Sequence, residues 1–246
     1  MLYIIGLGLW DKKDISVKGL NAVKNADYVY FENYTSRLNC SIDELEVFYG
    51  KKVIPADREM IESKYGEILS RAEKGNVAVL VIGDVFSATT HINLLIEARE
   101  KGIGVEVIHN ASVVSAVGIT GLEVYKFGKI TSIPFDNKNI ESPVKALYDN
   151  KRLGLHTLFL LDLKPEENKF MRASDAAEYL ISKGVKKDEK AVAIAGLGSE
   201  SPEIVVDNLA KIAESENLKK IPQCIIVPGN LHFIEEKALK MWEKAA

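Results

Sequence analysis

Residues 77–82 of this 246-residue chain, Val-Ala-Val-Leu-Val-Ile, form an apolar run that is too short for a helix and is apolar at odd and even positions alike. A strand with one face in water alternates apolar and polar residues, and this run has no face to give to water. It is therefore predicted to be a central strand of a parallel sheet, covered by helices on both sides. Gly83 ends the run and Asp84 follows it. Ser87, Ala88, Thr89 and Thr90 then lead into a helical pattern over residues 91–101. In open α/β sheets, ligands bind just outside the carboxyl ends of the strands. The stretch fits that use, and it also fits an ordinary strand-to-helix turn with Thr89 or Thr90 as the helix N-cap.

The neighbouring sequence supplies the rest of such a sheet. Residues 2–5 read as a strand, and Gly6-Leu7-Gly8-Leu9 turns the chain toward an amphipathic helix over 16–25. Residues 28–31 form a second strand, followed by the polar loop Glu-Asn-Tyr-Thr-Ser. Ser41 and Glu44 have capping-box spacing and open a helix through residue 48. Residues 53–54 read as a short strand closed by Pro55, residues 59–74 as one helix, and residues 105–108 as the fifth strand. Strands alternating with helices predict a doubly wound parallel α/β domain over residues 1–110.

Residues 111–122 are rich in small side chains and carry Gly118 and Gly121, which predicts a closely packed helix at the junction with a second domain, residues 111–246. That half offers strands at 130–133, 157–161, 191–195, 204–206 and 224–227. Its helices fall at 143–151, 173–182, 209–215 and 233–244. Its strands are not each separated by a helix, so a mixed sheet is expected.

Composition narrows the function. The 32 basic and 35 acidic residues are well mixed, leaving no polybasic surface for nucleic acid or membrane. Cys40 and Cys224 are the two cysteines and lie far apart, so neither a disulfide framework nor a zinc site is expected. With no basic leader or membrane-length apolar run in view, the compartment reads as cytoplasmic. The four histidines, His91, His109, His156 and His232, have no metal-ligand spacing, so no metal is expected. Gly-x-Gly after the first strand suggests a dinucleotide fingerprint, but Leu-Trp-Asp-Lys-Lys-Asp follows it, with no third glycine and no immediate helix to receive a pyrophosphate. What remains is a set of neutral, backbone-rich loops at strand ends, 6–10, 33–36, 83–90 and 110–115. These suit a nucleoside-like ligand without phosphate.

Residues 4–36, the Gly-Asp-Val-Phe-Ser-Ala-Thr-Thr-His segment at 83–91, and the block 109–135 with Asn-Ala-Ser, Ser-Ala-Val-Gly, Thr-Gly-Leu, Tyr-Lys-Phe-Gly and Ser-Ile-Pro-Phe carry a resemblance. With residues 156–165 and 226–239 they resemble the diphthine synthase family nearly end to end, in family order and spacing. The resemblance implies a tetrapyrrole methylase-type fold of two α/β domains with the cofactor in the cleft between them, and a homodimer. The implied cofactor is S-adenosyl-L-methionine, released as S-adenosyl-L-homocysteine. The implied substrate is translation elongation factor 2, whose modified histidine side chain is methylated repeatedly on its amino group to give diphthine in diphthamide biosynthesis.

Carried over residue by residue, the family's cofactor contacts fall on Leu9, Asp84, Ser87, Ser112, Val113, Leu163 and His232. One more falls at Val205 or Val206, with Val206 taken here. At Val85 the family often has proline and at Asn230 often lysine. Without the resemblance, Leu9, Val113 and Leu163 read as core, Asp84 and Ser112 as helix caps, and His232 as a cap or packing residue. A tetrapyrrole methyltransferase, a dinucleotide-dependent dehydrogenase and a nucleoside-binding module are the alternative readings. Because the leaving sulfur of a sulfonium is already activated, catalysis is expected to be mainly positioning, with no essential general base. His91, His232 and Glu123 are the candidates if one is needed, and Tyr125 and Phe127 are candidates to receive the cationic product.

Overall fold

The computed structural model describes residues 1–87 and 90–243, so Ala88, Thr89 and Lys244 from the expectations above lie outside the described residues. The chain divides into two compact units, residues 1–113 and 114–246.

In the first unit, strands β1 (Leu2–Gly6), β2 (Tyr28–Glu32), β3 (Val53–Ala56), β4 (Val77–Val81) and β5 (Val105–Ile108) form one parallel sheet in the order β3-β2-β4-β1-β5. Helices α1 (Val17–Asn25), α2 (Ile42–Tyr49), α3 (Arg58–Glu62), α4 (Gly66–Lys74) and α5 (Ile92–Glu100) alternate with the strands. The predicted central strand is β4. Every one of its residues is buried, with Val77, Val79 and Val81 in one apolar cluster and Ala78 and Leu80 in another. Successive side chains of a strand point to opposite faces, so the two clusters are the two covered faces of the sheet. Burying each large apolar side chain there stabilises the fold by roughly 1.5–3 kcal/mol.

The structure corrects several expectations in this unit. Pro55 lies inside β3 rather than ending it; β3 is an edge strand, where a residue without an N–H is tolerated. The single helix predicted over 59–74 is two, interrupted at Ser63–Tyr65. Ile61, Ile68, Leu69 and Ala72 all enter one core cluster, so the apolar spacing runs across the interruption and hides it. At the start of α5 the N-cap position is occupied by His91, which makes no side-chain cap bond, while the Thr90 hydroxyl donates to Glu62 at 2.8 Å.

Residues 111–122 do not form one helix. A four-residue helix, α6 (Val113–Ala116), passes into a 3-10 turn, Val117–Thr120, that ends at Gly121 with φ +88°. Val113, Val114, Val117, Ile119 and Thr120 are β-branched, and with Gly118 they give a weak helix former. A Cβ on Gly121 would lie 2.1 Å from the Cβ of Ala238, so the small residues serve close packing rather than helicity.

In the second unit, β6 (Thr131–Ile133), β7 (Thr157–Leu161), β10 (Lys190–Ala195), β11 (Glu203–Asn208) and β12 (Gln223–Val227) form a sheet in the order β11-β10-β12-β7-β6. Only the β6–β7 pairing is parallel, so the sheet is mixed, as expected. Helices α7 (Ser142–Arg152), α8 (Ala173–Ser182), α9 (Leu209–Ala213) and α10 (Phe233–Leu239) complete the unit. A small hairpin of β8 (Leu163–Lys164) and β9 (Lys169–Phe170) follows β7 and was not anticipated. The last helix stops at Leu239, short of the predicted extent, because the chain then turns to run beside the edge strand β11; the Val206 amide donates to the Trp242 carbonyl at 3.3 Å.

Candidate functional site

The loops at the carboxyl ends of β1, β4 and β5 are bonded into one assembly. Gly8 and Gly83, both at positive φ, exchange backbone hydrogen bonds of 3.2 and 2.7 Å. The Asn110 amide group donates to the carbonyls of Gly6 at 2.9 Å and Asp14 at 3.0 Å. A Cβ at Gly6 would lie 2.7 Å from the Gly83 oxygen and 2.9 Å from the Asn110 Cβ. Glycine is thus required at the end of β1 so that the two flanking loops can close over it.

Asp14 explains the departure from a dinucleotide fingerprint. Its Oδ2 accepts the amides of Leu9, Trp10 and Asp11 at 3.2, 2.6 and 3.3 Å. The backbone donors that would face a pyrophosphate are therefore occupied by the chain's own carboxylate, and the first loop has no free anion-binding amides at these three positions.

Asp84 is 8% exposed and its carboxylate is fully engaged. Oδ1 accepts from the Phe86 amide at 3.2 Å and the Ser87 hydroxyl at 3.1 Å. Oδ2 accepts from the Asn110 amide at 3.1 Å and faces His109 Nδ1 at 2.8 Å. Burial pushes its pKa up, but the bonds from His109, Asn110, Phe86 and Ser87 together outweigh burial and hold it below the ordinary carboxylate value. Asp84 thus ties the loops together through bonds to the chain itself. Ser87, which bonds Asp84 directly, is half-buried; of the other residues expected at the cofactor from this unit, Leu9 and Val113 are half-buried and Ser112 is buried.

The loop after β2 is tied down separately. Glu32, fully buried, accepts the amides of Tyr34 and Thr35 at 2.8 and 2.6 Å and the Thr35 hydroxyl at 2.7 Å. His91, 1% exposed, lies against the Tyr34 ring. Burial lowers its pKa and keeps the ring neutral, with Glu62 and the Val85 carbonyl pulling weakly the other way.

In the second unit, Leu163 opens the small hairpin and is half-buried, its amide donating to Asp162 at 2.9 Å. Val206 is buried on β11 and Val205 is half-buried, packed against the core. His232 is exposed at the N-cap of α10, its ring 4.3 Å from that of Phe233. Sequence reasoning missed the buried group beneath it. Glu235 accepts the amides of Glu123 and His232 at 2.9 and 2.8 Å, bonds His156 Nε2 at 2.8 Å, and pairs with Lys126. His156 Nδ1 accepts the Gly229 amide at 2.9 Å, so its proton is on Nε2, facing the carboxylate. Burial raises the Glu235 pKa, yet these donors override it and bring it to about 2. The ring of Phe127 packs edge-on against His156, a structural placement, whereas Tyr125 is exposed.

Among the described residues no cluster of histidine, cysteine and carboxylate side chains is placed to hold a metal, and no helix is long and apolar enough to cross a membrane. Residues 1–213 match the Tetrapyrrole (Corrin/Porphyrin) Methylases family. The chain is 40% identical to the diphthine methyl ester synthase of Saccharomyces cerevisiae over 96% of this chain and 87% of that one. It is 39% identical to the diphthine synthase of Methanococcus aeolicus over 98% and 97%. A crystal structure of diphthine synthase superposes with a TM-score of 0.93 at 39% identity, covering 100% of this chain and 96% of the other. Sequence and fold agree along the whole length, and the chain belongs to the diphthine synthase family of the tetrapyrrole methylases.

Proposed function

We propose that this protein is an S-adenosyl-L-methionine-dependent methyltransferase of diphthamide biosynthesis. In this reading it repeatedly methylates the amino group of the modified histidine of translation elongation factor 2. The observation that carries the reading is near-full-length identity of about 40% to diphthine synthases and diphthine methyl ester synthases from an archaeon and a yeast.

The residues at the strand ends suit the cofactor. It carries a nucleoside, an amino-acid end and no phosphate, and the loops offer the half-buried apolar Leu9 and Val113, the hydroxylic Ser87 and Ser112, and backbone groups. In this proposal those residues hold the donor, with Asp84 fixing their loops. Leu163, Val206 and His232 supply further contacts by resemblance to the family. The donor contributes a methyl group on a sulfonium whose sulfur is already a good leaving atom, so binding and aligning the reactants is the larger part of the protein's task. The occupied amides of Leu9, Trp10 and Asp11 weigh against a dinucleotide. Homodimerisation and a cytoplasmic location belong to the same proposal.

The two relatives' names differ by an ester methyl group. Transfer of label from S-adenosyl-L-methionine to elongation factor 2 bearing the aminocarboxypropyl histidine tests the reading, and mild base distinguishes the products. Methyl on nitrogen survives that treatment, and a methyl ester is hydrolysed. A porphyrinoid acceptor in place of the factor tests the tetrapyrrole alternative.

A further inference from the structure

We propose that Asp84 and His109 act as a proton-accepting pair, in which Asp84 fixes the His109 ring and the exposed Nε2 takes the proton that the substrate amine loses before each transfer. The inference rests on the methyltransferase reading above and deepens it.

The geometry defines the proton's position. The Asp84 pKa lies below the ordinary carboxylate value, so the group is ionised at neutral pH and can only accept. With Asp84 Oδ2 at 2.8 Å, His109 Nδ1 must be the donor, which leaves the lone pair of the neutral ring on Nε2. The Phe86 ring stands edge-on to it at 6.2 Å between centroids, and the Phe86 amide itself donates to Asp84. The His109 side chain is 66% exposed, and Nε2 makes no hydrogen bond among the described residues. An acceptor nitrogen oriented by a carboxylate and open to solvent is the arrangement of a general base and its orienting group.

The other histidines lack it. His91 is 1% exposed, so a proton taken there has no outlet. His156 uses both nitrogens, toward Gly229 and Glu235. His232 uses Nδ1 at its helix cap, and Glu235 bonds its backbone rather than its ring.

The step balances. An N–H bond of the substrate ammonium breaks, the proton moves to Nε2, and the pair left on nitrogen becomes the nucleophile. The imidazolium then returns the proton to solvent. As the new N–C bond forms, the donor's C–S bond breaks with its electron pair remaining on sulfur. Each transfer leaves a cationic amine that must lose one more proton before the next, until the nitrogen is quaternary. Charged groups on the neighbouring elements are engaged within the chain. Asp84 binds it directly, the Asp14 carboxylate of the first loop is turned to its own amides, and Glu106 on β5 is paired with Lys18 of α1 at 2.7 Å.

Two measurements test the pair. Single-turnover transfer is followed from pH 6 to 9.5 for the wild type and for His109→Asn, which keeps a polar side chain at the position. The variant is expected to be slower by ~10²-fold at the acid end, the lower range for a lost general base, and to converge on the wild type above the pKa of the amine. Loss by the same factor at every pH, or an unchanged profile, overturns the proposal. Independently of activity, imidazole ¹⁵N spectra of the cofactor-free protein should show His109 as the Nδ1–H tautomer, with Asp84→Asn moving it toward Nε2–H. An Nε2–H ring in the wild type overturns the assignment. Absence of transfer by the wild type at every pH overturns the parent reading and this one with it, whereas transfer indifferent to His109 overturns the pair alone.

Discussion

Asp84 and His109 leave the sheet from β4 and β5, two strands that never touch, and meet at 2.8 Å above the end of the strand that separates them. They can meet because β1 ends in Gly6, over which Gly83 and Asn110 approach to distances no side chain would allow. The geometry of this sheet's carboxyl edge is built by what is missing at one position. Loops of three strands are bonded into one assembly.

Gly6→Ala should therefore damage both stability and ligand binding. The new Cβ would sit 2.7 Å from backbone oxygen, which cannot rotate away as a flexible side chain could. Forced overpacking of this kind costs about 1–3 kcal/mol. Urea unfolding should show a lower midpoint, and calorimetry with S-adenosyl-L-homocysteine should show weaker binding in the folded variant. Wild-type values for both would mean the loops have slack that the distances deny.

Asp84→Asn keeps the shape of the side chain but replaces an acceptor of four bonds with a group that has one acceptor oxygen. Hydrogen bonds to a charged partner are worth roughly 1.5–3 kcal/mol, so S-adenosyl-L-homocysteine affinity should fall about tenfold or more as the loops loosen. Calorimetry on the folded variant measures this, and unchanged affinity would remove Asp84 from the binding loops' support.

The buried group around Glu235 should govern acid stability. The Glu235 pKa is about 2 in the folded protein against about 4.3 for an unperturbed glutamate, so its stabilisation is complete above the unfolded value and is lost as pH falls toward 2. His156, kept neutral by burial, adds to the loss from about pH 6.5 downward, since the unfolded chain takes up the proton more readily. Glu235→Gln should be less stable at pH 7 by about 3 kcal/mol, the lower range for breaking a buried ion pair, because Lys126 is partly exposed. It should also lose less of its remaining stability between pH 5 and pH 2.5. Denaturant midpoints at these pH values decide it, and parallel pH dependence in both proteins would contradict it.

The sheet of the first unit was legible because its signals are local. A run apolar on both faces admits only a doubly covered strand, and Ser41 with Glu44 does form the capping box that its spacing announces. The break at Ser63–Tyr65 was not legible, since the apolar positions on either side stay in phase. Nor was the pairing of His109 with Asp84, 25 positions apart on non-adjacent strands and joined only by the fold. The one available clue was the glycine ending β1, read as a turn rather than as space for the loops beside it. Glu235 escaped for a similar reason: it is fully buried, and its partners Glu123, Lys126 and His156 are distant in sequence and brought to it only by the fold.

The most direct test of the account is transfer of labelled methyl from S-adenosyl-L-methionine to elongation factor 2 carrying the aminocarboxypropyl histidine, with the unmodified factor as control. The account predicts label on the modified factor alone, at the amino nitrogen of that side chain and stable to mild base. A folded protein that binds S-adenosyl-L-homocysteine yet labels neither factor, or labels a porphyrinoid instead, would contradict it.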